Sequence, residues 1–180
     1  MDNIFHHNDE YILKANEYME EWNYLEAKRL LIKFLEEEPN HGPAHFLLGK
    51  IYSSQLDDDG TAIYHFKLAL EHCPILIPAY YWLVNMYLLR EECQKALGIC
   101  QQALKQPGIA GDYIYLKMGQ AYEISGKLLR AVHHYQKGYL RSIDSEVMSK
   151  CDAGVSRIRK KQRMLNCLKV EYWVSSAQLA

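Results

Sequence analysis

Residues 44–74 read AHFLLGKIYSSQLDDDGTAIYHFKLALEHCP. Leu47, Leu48, Ile51 and Tyr52 recur at helical spacing, which predicts an amphipathic helix with Gly49 inside it. The polar run Asp57-Asp58-Asp59-Gly60 then interrupts, and Ala62, Phe66 and Ala69 resume the same spacing until Pro74. Two short antiparallel helices therefore fill this stretch, and a small residue in each lets them approach closely.

The pattern repeats along the chain. Ala27, Ala62, Ala96 and Ala131 are spaced 35, 34 and 35 apart, and Tyr18, Tyr52, Tyr87 and Tyr122 are spaced 34, 35 and 35 apart. Gly49 and Gly119 are two periods apart, and Pro39, Pro74 and Pro107 follow a similar step. A period near 34 carrying two helices is the mark of a helical repeat array, in which one hairpin cannot bury both faces and must stack on its neighbours. Residues 1–140 are read as four helix-turn-helix repeats, at about 8–41, 42–76, 77–110 and 111–140. Residues 141–166 are read as a C-terminal capping helix, with Val147, Cys151, Val155, Ile158 and Leu165 on one stripe and Arg157, Arg159, Lys160, Lys161 and Arg163 opposite. Residues 167–180, with Tyr172 and Trp173, are left unassigned, and whether they fill a groove is left open.

Leu48, Gly49, Tyr52, Ala62, Phe66, Ala69 and Pro74, together with Tyr80, Leu83, Tyr87, Ala96, Gly119, Tyr122, Ala131 and Tyr135, resemble the tetratricopeptide repeat signature. The resemblance covers roughly residues 8 to 140. It implies an all-α fold, an α-solenoid in which antiparallel helix pairs wind into a right-handed superhelix. It also implies that the first helix of each pair lines a concave face. By that correspondence the candidate groove is Asn16, Phe46, Lys50, Tyr81, Asn85, Leu88, Leu89, Tyr113, Leu116 and Gln120, an apolar and aromatic wall with amides able to pair with an extended backbone. The carboxylate clamp of the cochaperone members does not carry over: Asn16 is kept, but Ile12, Leu47, Pro78 and Trp82 stand at the other clamp positions.

Composition narrows the function class. The 180 residues carry 21 Lys+Arg against 22 Asp+Glu, for a net charge of -1, which argues against a dedicated nucleic-acid binder. No run of about 20 apolar residues exists to span a membrane. The first residues show no secretory pattern, and five cysteines without a CxxC pair suit a reducing compartment, so a cytoplasmic location is expected. No nucleophile elbow, phosphate loop or zinc-protease motif occurs. The pairs His6-His7 and His133-His134, the spacing His41/His45, and His65 with His72 and Cys73 form no closed ligand set. The expectation is a non-enzymatic interaction module without cofactor or metal, binding another protein or peptide segment as scaffold or adaptor. Homo-oligomerisation is left open. The alternatives are a small secretion chaperone of the same repeat type, a self-associating structural protein, and an RNA binder using Arg157 to Arg163.

Overall fold

A computed structural model of the chain describes the backbone of residues 2–177 and the side chains of residues 10–166. The described residues are helical throughout, in the order α1 (Asp2–Glu20), α2 (Tyr24–Glu37), α3 (Gly42–Gln55), α4 (Asp59–His72), α5 (Ile77–Leu89), α6 (Cys93–Ala103), α7 (Gly111–Ile124), α8 (Leu128–Arg141) and α9 (Ser145–Ala177). They form two compact units. One contains residues up to Met86 with Lys105–Ile109, and the other contains Tyr87–Leu104 with residues from Ala110 onward.

Local chemistry sets the helix ends. The aspartate run caps α4: Asp58 Oδ1 accepts from the Thr61 amide at 3.0 Å and Oδ2 from the Thr61 hydroxyl at 2.7 Å. His41 Nδ1 accepts from the Ala44 amide at 3.2 Å, and Pro43 fills the first turn of α3, where its missing N–H costs nothing. Asp144 Oδ1 accepts from the Glu146 amide at 2.7 Å at the start of α9. Each turn between first and second helix uses one residue in the left-handed region: Trp22 (φ 61°), Asp57 (47°), Glu91 (56°) and Gly126 (72°). The period therefore reappears in the backbone. Three of the four positions bear a side chain there, at about 1–2 kcal/mol each.

In the first unit, Ala15, Ala27, Leu31, Phe34, Ala44, Leu47, Leu48 and Ile51 make the core of α1, α2 and α3, with Tyr11 stacked on Phe34 at 4.9 Å. Phe66 of α4 is fully buried against Gly49 of α3, where an added Cβ would meet the ring at 2.6 Å. Trp82 stacks on the same ring at 5.7 Å and Phe46 tilts against it at 5.9 Å.

The second unit repeats this contact and extends it. Tyr135 of α8 lies between two bare backbones, since a Cβ on Gly119 of α7 would meet its ring at 2.5 Å and one on Gly154 of α9 at 2.6 Å. Its buried hydroxyl donates to Glu123 Oε2 at 2.9 Å. Arg157 donates to both Glu123 oxygens (2.7 and 2.6 Å) and Lys161 to Oε1 (2.9 Å). These bonds, with the Arg157 hydrogen bonds leading, hold the Glu123 carboxyl down at about 2. Around the node, Leu116, Ala131, Tyr135, Val147, Cys151, Val155 and Ile158 form one apolar cluster that seats α9 on α7 and α8.

Several expectations are corrected here. The terminal helix begins at Ser145 and continues to Ala177, so its backbone includes part of the stretch left unassigned. Leu165 is 52% exposed, so burial of the stripe ends before it, at Ile158. Arg157 and Lys161 are not a free basic face, because Glu123 binds both. The side chains of Cys167, Tyr172 and Trp173 lie outside the described residues.

The ring-on-glycine geometry predicts that Gly119→Ala and Gly154→Ala each cost about 1–3 kcal/mol by overpacking. Gly98 in α6 has nothing within 4 Å of its missing Cβ. Gly98→Ala should therefore raise stability by about 0.5–1 kcal/mol, the ordinary helix-interior gain. Urea denaturation of the three variants checks both signs.

Candidate functional site

The expected groove residues divide between the two units. Asn16, Phe46, Lys50, Tyr81 and Asn85 belong to the first, and Leu88, Leu89, Tyr113, Leu116 and Gln120 to the second. In the first unit, α3 presents Phe46 half-buried, with Lys50 Nζ 5.9 Å from the ring centroid. Asn16 spends one amide N–H on its own helix, donating to the Ile12 carbonyl at 2.9 Å. Tyr81 and Asn85 of α5 are half-buried and already engaged by neighbours. Ser53 of α3 donates to the Met86 sulfur at 3.3 Å, which ties α3 to α5 along the same side.

In the second unit, α7 repeats the ring-and-lysine arrangement, with Lys117 Nζ 5.0 Å from the Tyr113 centroid. Gln120 is half-buried. Leu89 is 77% exposed and Ile124 is exposed as well. Two expectations fail on burial. Leu116 is 1% exposed, because α9 covers it within the α7–α9 cluster, and Leu88 is 9% exposed. Neither presents an anchor to a ligand. Glu123, a first-helix residue by the repeat correspondence, is likewise consumed by α8 and α9.

A histidine pair in the first unit escapes sequence reasoning. His45 of α3 is buried, and its Nε2 lies 2.9 Å from the Pro39 carbonyl. A carbonyl only accepts, so Nε2 carries the proton and Nδ1 is the acceptor. His65 of α4 then donates its Nδ1–H to His45 Nδ1 at 3.0 Å. His65 also stacks on Tyr52 at 5.5 Å, and the His72 ring stands 6.1 Å from that of His45. Burial is the main force depressing both imidazoles; repulsion from His72 adds to it at His45 and repulsion from His45 adds to it at His65, which is lowered to about 4. The two rings lie 20 residues apart on separate helices, and no motif joins them. Among the described residues no group of three or more His, Cys, Asp or Glu is arranged to hold a metal ion. Cys100 and Cys151 are buried and their thiols are pushed up to about 12 and about 11, the opposite of an activated nucleophile.

No known family profile matches the sequence. The structure is similar to that of MamA, with a TM-score of 0.66 and 22% identity over 74% of this chain and 72% of that one. It is similar to PilF of Pseudomonas aeruginosa, with a TM-score of 0.71 and 16% identity over 87% of this chain and 69% of that one. Human IFIT1, in a dimer with m7Gppp-AAAA, gives a TM-score of 0.69 and 23% identity over 85% of this chain and 39% of the longer one. All are tetratricopeptide-repeat proteins. The chain has their fold, an all-α solenoid of the tetratricopeptide type.

The histidine pair predicts a pH effect with a definite sign. Both imidazoles stay neutral in the folded chain at a pH where the unfolded chain takes up protons. The pair's contribution to stability should therefore be level above pH 6.5 and fall as pH drops from there toward about 4. The total loss should be about 1–3 kcal/mol, bounded by about 1.4 kcal/mol per pH unit and group. A His65→Gln variant, whose amide still donates to His45, should show a shallower slope in that window. Equal slopes for the two proteins would refute the assignment.

Proposed function

We propose that the chain is a protein-interaction module that binds a partner polypeptide segment on its first-helix faces, as a scaffold or adaptor without catalysis of its own. The supporting observation is the half-buried ring beside a lysine on α3 (Phe46 with Lys50) and again on α7 (Tyr113 with Lys117). A ring with one face on the core offers apolar contact, and the adjacent ammonium offers charge to an acidic or carbonyl-rich segment. Asn16, Tyr81, Asn85, Leu89 and Gln120 extend these faces. Leu88 and Leu116 drop out because they are buried. The likeness to tetratricopeptide proteins supports this reading at the level of an interaction scaffold.

Among the described residues no helix is long and apolar enough to cross a membrane. The free thiols suit the cytoplasmic location we infer. The IFIT1 structure holds m7Gppp-AAAA, yet two cations of the present basic run, Arg157 and Lys161, are already paired with Glu123. A polypeptide is therefore the better-supported ligand class.

Selection of a displayed peptide library on the full chain tests the proposal. Enriched peptides should bind with micromolar affinity. Phe46→Ala and Tyr113→Ala should each weaken them about tenfold or more, with circular dichroism unchanged. Peptides that bind both variants as well as the parent would place recognition elsewhere.

A further inference from the structure

Trp22 occupies the α1–α2 turn with φ at 61° and 78% of its surface exposed. The equivalent turns use Asp57, Glu91 and Gly126, so only this one holds a large apolar side chain in the left-handed region. Folding gains little from an indole held out in solvent at that position, and an exposed large apolar side chain there points to a contact outside the chain. Leu25 beside it is also exposed, and Tyr24 meets the indole edge-on at 6.2 Å. Glu20 and Glu21, immediately before it, are exposed and form no ion pair among the described residues. The result is an apolar knob with an acidic rim.

A matching surface lies on the second unit. Between α8 and α9 opens a cleft of about 390 Å³, lined by Gln136, Tyr139, Leu140, Val155, Asp152 and Arg159 among others. Leu140 is 83% exposed and Tyr139 is also exposed, so the apolar wall faces solvent. Arg159, with Lys160 and Arg163 following, is exposed and has no ion-pair partner among the described residues. Asp152 stands at the other end of the cleft, about two helical turns from Arg159.

We propose that copies of the chain associate head to tail, with Trp22 of one copy seated in the α8–α9 cleft of a second. Glu20 and Glu21 then oppose Arg159, Lys160 and Arg163. A second copy supplies both the shape and the charge that each surface lacks. The two surfaces differ, so the contact is heterologous and adds chains one after another until a ring closes or growth stops. One knob in one cleft is a small interface, so assembly depends on concentration and weakens with salt.

Sedimentation velocity of the full chain over a concentration series tests this. The weight-average mass should rise with concentration at low salt and fall back when salt is added. Trp22→Gly relieves the backbone, so it should fold at least as well as the parent yet associate at least about tenfold more weakly. Leu140→Glu, at an exposed site, should do the same. Mixing these two variants brings one intact cleft to one intact knob, so association should return and halt at two chains. A parent that stays monomeric throughout, a Trp22→Gly chain that assembles like the parent, or a mixture that remains monomeric would each overturn the proposal.

Discussion

An aromatic ring laid on the bare backbone of a glycine is the contact on which the rest of this structure depends. Helices carrying ordinary side chains cannot come close enough for a ring on one to touch the backbone of the other. Gly49 under Phe66 allows it in the first unit, and Gly119 with Gly154 around Tyr135 allows it in the second. Each buried ring contributes about 2–3 kcal/mol of apolar burial, so losing the fit costs a large share of a domain's net stability. The second case sets off a sequence of requirements. Once the Tyr135 ring is enclosed, its hydroxyl needs an acceptor, which is Glu123. A carboxylate sheltered in this way needs compensating charge, and Arg157 and Lys161 of α9 supply it. The placement of the terminal helix thus follows from the same contact.

That placement shapes what remains for recognition. By covering Leu116 and taking up Glu123, α9 removes an apolar residue and an acid of the final first helix from the candidate surface. Tyr113 with Lys117, and the half-buried Gln120, remain on α7. The first unit keeps Phe46 and Lys50 on α3, backed by the Phe66 ring beneath Phe46. A surface ring supported by a buried ring is held rigidly, so little conformational entropy would be lost on contact.

The repeat was legible in the sequence because its determinants are periodic. Gly49 and Gly119, the four alanines from Ala27 to Ala131 and the prolines all recur in step, and the helices follow from them. What was missed is either not periodic or not fixed in residue type. Gly154 lies outside the repeats, and only the fold brings it to Tyr135. The His45–His65 bond joins two helices through side chains that the signature does not specify. The left-handed turn residues share the period but not an identity, so Trp22, Asp57, Glu91 and Gly126 hide it. Leu116 was misread for a different reason. In an interior repeat its position would line the concave face, but here the terminal helix covers it. Arg157 was read as solvated because a charge run on a helix usually is, and its acceptor lies 34 residues earlier.

A double-mutant cycle joining Gly119→Ala to Tyr135→Leu tests the central contact most directly. Stability would be measured by urea denaturation of the parent, both single variants and the double variant. If the ring on the bare backbone is what Gly119 serves, the alanine should cost much less once the ring is gone, giving a coupling of about 1 kcal/mol or more. Costs that simply add would show that Gly119 and Tyr135 act independently, and would contradict the account.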